Sequence, residues 1–219
     1  AKAIQWADSV INTLTLEEQI GQLIMIRAHS DKSLAYKQNV SKQIQQFHVG
    51  GICFFQGGPV RQANWAKKYQ EISKLPLFVA MDGEWGLGMR LDSTLSYPYQ
   101  MTLGAIQDDH YINMMGKAIA KELKAVGVNM NFAPVMDVNN NPNNPVINFR
   151  SFGENPERVY KKAINYAMGM QSKGVIACGK HFPGHGDTDK DSHHSLPVID
   201  SPEKEMKDIH LYPFRKAAA

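Results

Sequence analysis

At 219 residues, 43% of them hydrophobic and 21% charged, the chain is long enough to bury a substantial core as one large domain or two small ones. A formal net charge of +3, with no block of lysines and arginines concentrating it, argues against attraction to nucleic acid or to a membrane surface. No apolar stretch approaches the ~20 residues that a membrane-spanning helix needs.

In chain order, the capping box Thr15-Leu16-Glu17-Glu18 opens a short helix, and Gln22 to Ile26 follows as an apolar run that suits a buried strand. Asp31 to Val49 carries a polar, helix-compatible pattern, Gly50-Gly51 punctuates, and Ile52 to Phe55 reads as a second strand. Pro59 to Lys74 suits a helix with proline in its first turn, and Leu77 to Met81 a third strand ending at Asp82-Gly83-Glu84. After a longer loop, Asp108 to Val126 reads as a helix stopped by Gly127, and Val128 to Val135 as a fourth strand ending near Asp137. The Asn/Pro run from Asn139 to Pro145 is loop, Pro156 to Gly174 a helix, and Val175 to Lys180 a fifth strand. Ser201-Pro202 starts a last helix. The only two cysteines, Cys53 and Cys178, both fall in apolar strand-like runs and are expected as buried thiols, which leaves the redox compartment undecided.

Short apolar strands alternating with helices predict an α/β fold with a parallel sheet buried on both faces. A doubly wound sheet and a (β/α)8 TIM barrel both satisfy the alternation. Polar residues gather just past the strand ends (Arg27-Ala28-His29, Asp82, Asp137, Lys180-His181), the rim where barrels carry their active sites. No Gly-x-Gly-x-x-Gly opens a helix after the first strand, which removes the main dinucleotide signature. The barrel is therefore preferred. Five βα units cannot close one, so residues 1–219 read as roughly the first five to six units of a single barrel domain whose C-terminal part lies outside this chain.

The densest chemistry lies in Lys180-His181-Phe182-Pro183-Gly184-His185-Gly186-Asp187-Thr188-Asp189-Lys190-Asp191-Ser192-His193. A packed core has no use for so many ionisable groups, because burying each costs free energy unless it is paired. Asp191 and His193, two residues apart, point the same way in an extended segment. The carboxylate can then orient the imidazole, whose other nitrogen gives or takes a proton near neutral pH. The bland alternative is a loop Asp–His contact without catalytic use. His181, His185, Asp187, Asp191 and His193 also suggest a metal hydrolase, but Pro183-Gly184 forbids the helix that an i,i+4 histidine pair would require.

This segment closely resembles the signature of glycoside hydrolase family 3, in its β-N-acetylglucosaminidase (NagZ-like) branch. Four further stretches resemble family motifs in the same order: Leu16 to Leu23, Asp82-Gly83-Glu84-Trp85-Gly86 through Arg90, Asn131 to Val138, and Arg150-Ser151-Phe152-Gly153, followed by Tyr212-Pro213-Phe214. The resemblance implies a retaining exo-β-N-acetylglucosaminidase acting on peptidoglycan-derived muropeptides, with a small carbohydrate substrate and no cofactor or metal. It makes His193 the general acid/base and Asp191 its partner, and it lines the terminal sugar subsite with Asp82, Arg90, Arg150, Lys180 and His181. The arginines have the alternative of structural pairing with rim carboxylates, and Asp82 and Lys180 of pairing with each other. His185 is expected to shape its turn. The family's aspartate nucleophile would come from a later segment, beyond Ala219, and neither Asp137 nor Asp187 is assigned that role. Trp85 departs from the family's usual glycine and leaves the aglycone side in question. A β-glucosidase or β-xylosidase and a non-catalytic sugar-binding fragment are the alternatives. A first residue that is not methionine and an extended N-terminal helix fit a processed, exported protein, periplasmic or otherwise, with a cytoplasmic one as the alternative.

Overall fold

The computed structural model describes residues 2–188 and 201–219. Asp191, His193 and His194 lie outside the described residues. Five parallel strands form one sheet: β1 (Met25–Ala28), β2 (Gly51–Phe54), β3 (Phe78–Met81), β4 (Met130–Asn131) and β5 (Ile176–Ala177). Their spatial order is their chain order, β1-β2-β3-β4-β5. That order decides between the two architectures left open by the alternation of elements. A doubly wound sheet reverses direction at a switch point, whereas an order that never reverses, with right-handed crossovers, carries all helices to one side as in a barrel wall.

Helix α1 (Lys2–Ile11) precedes α2 (Leu16–Gln22), and the crossovers are made by α3 (Leu34–Phe47), α4 (Pro59–Ile72), the short α5 (Gln100–Gly104) with α6 (Asp109–Ala125), and α7 (Pro156–Gln171). Each start has a local cause. Ser33 accepts from the Tyr36 N–H, Pro59 stands in the first turn of α4, Asp108 accepts from the His110 N–H, and Asn155 accepts from the Arg158 N–H. The Thr15–Glu18 capping box forms reciprocally at α2 (Leu16–Gln22). The predicted first strand starts three residues late for this reason: Gln22 still belongs to α2, and its side chain donates to the His48 carbonyl at 2.6 Å.

The fourth and fifth strands are much shorter than their apolar runs. Pro134 has no N–H to give the ladder, so regular pairing stops before it. The two segments nevertheless stay together as far as the rim, where the Lys180 N–H reaches the Pro134 carbonyl at 3.1 Å and the Met136 N–H reaches the Lys180 carbonyl at 2.6 Å. Buried apolar side chains from β1, β2 and β3, from the segments flanking β4 and β5, and from the inner helix faces fill one core, with Tyr69, Tyr166, Phe54 and Phe152 among its largest members. Cys53 sits in this core, and burial pushes its thiol up to about 11, with the Asp82 charge adding to the rise. Cys178, expected to be buried, is exposed among the described residues, where it follows β5, the last strand described. The last helix is also interrupted. A short turn at α8 (Glu203–Glu205) passes through a wide-turned stretch, Met206–His210, before α9 (Tyr212–Ala218). Among the described residues no helix is long and apolar enough to cross a membrane.

Helices α6 and α7 cross so closely that glycines meet backbone. A Cβ on Gly116 would lie 2.4 Å from the Tyr166 carbonyl oxygen, and one on Gly169 2.3 Å from the Asn113 carbonyl oxygen. Alanine normally stabilises a helix interior over glycine by about 0.5–1 kcal/mol. Here the clash is with backbone and reverses the sign. Gly116→Ala is expected to lower stability by about 1–3 kcal/mol, read as a lower midpoint in denaturant unfolding of the full-length protein.

Candidate active site

Past the C-terminal ends of β3, β4 and β5, the chain places three carboxylates and three cations in one cluster. Asp82 and Glu84 follow β3, Asp137 follows β4, and Lys180 follows β5, with Arg90 and Arg150 closing in from loops. Lys180 is the shared member. Its Nζ donates to Asp82 Oδ1 at 2.7 Å and to Glu84 Oε1 at 2.8 Å. Arg90 Nη2 donates to Asp82 Oδ2 at 2.6 Å. Arg150 grips Glu84 in a fork, Nε to Oε2 at 2.9 Å and Nη2 to Oε1 at 2.7 Å. The Glu84 side chain has no solvent exposure, a condition tolerable for a carboxylate only when it is paired this fully.

Asp137, also fully buried, organises the turn after β5. Its Oδ2 accepts from the His181 backbone N–H at 3.1 Å and lies 2.6 Å from His181 Nδ1, while Oδ1 accepts from the His185 N–H at 2.7 Å. A ring hydrogen on Nδ1 pointing at this carboxylate leaves Nε2 to accept, and Arg150 Nη2 is 3.4 Å from it. The peptide bond between Lys180 and His181 is cis. Asn144 ties the loop carrying Arg150 to the same turn. Its amide donates to the His185 carbonyl at 2.7 Å, and its oxygen accepts from the Val146 and Ile147 N–H groups.

These groups surround a cavity of about 350 Å³ lined by Asp82, Glu84, Trp85, Met89, Arg90, Val146, Arg150, Lys180, His181 and His185. All five residues expected around the terminal sugar therefore share one cavity wall. Asp82 pairs with Lys180 and Arg90, and Arg150 pairs with Glu84, so the structural pairings weighed from the sequence are all present. Pairing leaves capacity: a carboxylate oxygen accepts more than one hydrogen, and an ammonium carries three, of which Lys180 directs two at Asp82 and Glu84. Arg150 has less to spare, since its fork is spent on Glu84 and its Nη1 donates to the Val146 carbonyl at 3.2 Å. On the far side of Arg90, Phe55 lies under two guanidinium groups, with Arg27 Cζ 4.1 Å and Arg90 Cζ 4.8 Å from its ring centre.

Of the five residues weighed as metal ligands, Asp191 and His193 lie outside the described residues, and the other three are engaged as follows. His181 Nδ1 is engaged by Asp137, His185 Nδ1 contacts the Thr188 hydroxyl, and Asp187 gathers instead with Glu205 and His210. Burial holds the His185 imidazole below its ordinary value, in keeping with a neutral ring shaping its turn. Sequence reasoning gave Glu84 no role and withheld one from Asp137. Glu84 had a legible signal, since it is a second carboxylate two residues past Asp82 in the turn that leaves β3 for the rim. Asp137 had none, because its partners are 44 and 48 residues away.

With this geometry in view, comparison with known proteins is direct. The glycosyl hydrolase family 3 N-terminal domain matches residues 15–219. β-Hexosaminidase A of Pseudoalteromonas piscicida is 39% identical over 188 residues, covering 80% of this chain and 31% of that protein. Among solved structures, a glycoside hydrolase family 3 β-N-acetylglucosaminidase from Paenibacillus sp. str. FPU-7 is 39% identical with a TM-score of 0.85, over 93% of this chain and 40% of that one. The β-glucoside phosphorylase BglX bound to 2FGlc is 28% identical with a TM-score of 0.91, over 98% of this chain and 38% of that one. The chain belongs to glycosyl hydrolase family 3 and covers part of the barrel of its N-terminal domain. It spans less than half the length of each of these relatives.

Burial by itself would raise the carboxyls of Asp82 and Glu84. Lys180 and Arg90 outweigh it at Asp82, and Arg150 and Lys180 at Glu84, so both are held below their ordinary values of 3.8 and 4.5. A carboxyl lower in the folded than in the unfolded chain stabilises fully above the ordinary value and loses that contribution as pH falls below it. Stability from this cluster is therefore expected to hold from neutrality down to about pH 4.5 and to fall away below it. Lys180→Met removes the shared cation. It is expected to cost about 3 kcal/mol at pH 7 and to move the acid limb of a melting-temperature profile to higher pH. An unchanged acid limb would show that Lys180 does not hold these carboxyls ionised.

Proposed function

We propose that the full-length protein is a retaining exo-β-N-acetylglucosaminidase that removes terminal N-acetylglucosamine, with peptidoglycan-derived muropeptides as its substrate class. The observation that carries the reading is the charge-balanced cavity at the strand ends, where Asp82, Arg90, Lys180 and His181 present acceptors and donors on one wall of a space of about 350 Å³. A neutral sugar offers only hydroxyls and an amide. Such a ligand is held by fixed hydrogen-bonding groups whose own charges are already compensated. Support for N-acetylglucosamine over glucose comes from the 39% identity to proteins named for hexosaminidase activity, against 28% to the glucoside phosphorylase.

In this mechanism Asp82 accepts from two ring hydroxyls while Lys180 and His181 donate to or accept from their neighbours, fixing the ring over the strand ends. His193, oriented by Asp191, protonates the glycosidic oxygen as a carboxylate nucleophile from a later segment of the protein attacks the anomeric carbon. The glycosyl–enzyme bond formed is then broken by water, which the same imidazole deprotonates. Use of a histidine for the acid/base step replaces one of the two carboxyl groups that most retaining glycosidases employ.

The test is hydrolysis by full-length protein of an aryl N-acetyl-β-glucosaminide against the matching glucoside and xyloside. The N-acetyl substrate is expected to be preferred, with activity surviving excess chelator. His193→Ala is expected to lose about 10²–10⁴-fold on an alkyl glycoside, whose poor leaving group needs the proton, and far less on a dinitrophenyl glycoside. Preference for the glucoside would favour the glucosidase branch, and undiminished alkyl glycoside hydrolysis by the variant would remove His193 from the acid role. Asp82→Asn is expected to raise KM and lower kcat together on every substrate.

A further inference from the structure

A row of three aromatic side chains runs outward from the cavity, beginning at Trp85 in its lining. Inside, Glu84 is buried and the other charged groups are partly buried. Outside, Tyr99 and Phe149 are 44% and 48% exposed, and Trp85, half-buried, lines the cavity itself. The rings touch in series: Trp85 and Tyr99 meet edge to face with centres 4.8 Å apart, and Tyr99 and Phe149 lie 4.7 Å apart. Core burial does not hold them there. Each is the chain neighbour of a polar residue anchored by two hydrogen bonds. Trp85 follows Glu84, and Phe149 precedes Arg150, the two ends of one fork. Tyr99 precedes Gln100, whose amide donates to the Val135 carbonyl at 2.9 Å and accepts from the Val135 N–H at 3.1 Å. The Trp85 carbonyl in turn accepts from the Tyr97 N–H at 2.9 Å. A rigid, exposed aromatic row continuous with a polar cavity is a recognition surface, because exposed apolar area is otherwise selected against and π faces suit the C–H face of a pyranose.

We propose that Trp85, Tyr99 and Phe149 form a stacking platform for a second sugar ring, the one joined to the residue held in the cavity, so that the enzyme favours β-linked N-acetylglucosamine disaccharides over substrates without a second ring. The proposal rests on the function proposed above, since the cavity must hold the terminal residue. Trp85 stands at the junction: it lines the cavity, and its ring meets Tyr99, the next in the row.

The experiment uses full-length protein and two substrates, N,N′-diacetylchitobiose and methyl N-acetyl-β-glucosaminide, which share the cleaved bond and differ in the second ring. Trp85→Ala and Phe149→Leu are each expected to lower kcat/KM for the disaccharide about tenfold more than for the methyl glycoside, mostly through KM. Trp85→Phe, which keeps a ring, is expected to restore most of that ratio. Equal losses on both substrates would mean a structural role, and no loss on either would mean that other parts of the polypeptide cover the rings; both overturn the platform. If wild-type protein cleaved neither substrate, the proposed function would fall by itself. The platform would then be judged by calorimetry, where disaccharide binding no tighter than that of N-acetylglucosamine, or tighter binding that Trp85→Ala leaves unchanged, overturns it.

Discussion

The Lys180 ammonium is the interaction on which the rest of the site depends. Asp82 and Glu84 stand two residues apart on one turn and face the same way, so without a cation between them they would repel in a poorly solvated space. Lys180 reaches them from beyond β5, across the end of β4, because the strand order puts β4 between their strands. One side chain thus ties the third and fifth strand ends together, and the arginines complete the charge balance from the loops. The attraction is strong because the groups are buried, and burial is tolerable because every charge has a partner.

The same pairing orders the surroundings. Glu84 clamps Arg150, Arg150 approaches His181, and Asp137 fixes both the imidazole and the backbone of the turn that follows. Asn144 extends the network to the loop that carries Arg150, and Gln100, at the start of a short helix, extends it to the segment that follows β4. The outcome is a rim whose polar groups point inward at fixed positions while its aromatic neighbours are left facing out. Preorganised donors and acceptors of this kind recognise a neutral polyhydroxyl ligand without reorganising on binding.

Much of this was legible before any coordinates. Thr15, Ser33, Asp108 and Asn155 cap helices through bonds to residues two or three positions on, and such bonds are written in the local sequence. The strand cores Ile52–Phe54 and Val79–Met81 are apolar runs with no other use. Five of the cavity-lining residues were expected as a group. What escaped was non-local. Nothing near Asp137 says that it will hold His181, and the early ends of β4 and β5 depend on how Pro134 faces its neighbour.

Sequence by itself determined the alternation of helix and strand, the capped helix starts, the balance of charge and the family motifs, since each depends on residue types within a few positions of one another. Only the tertiary structure decided the strand order, the sharing of Lys180 between two carboxylates, and the aromatic row leading out of the cavity. Those features join residues tens of positions apart, and their energies come from distance and burial, quantities that exist only once the chain has closed on itself.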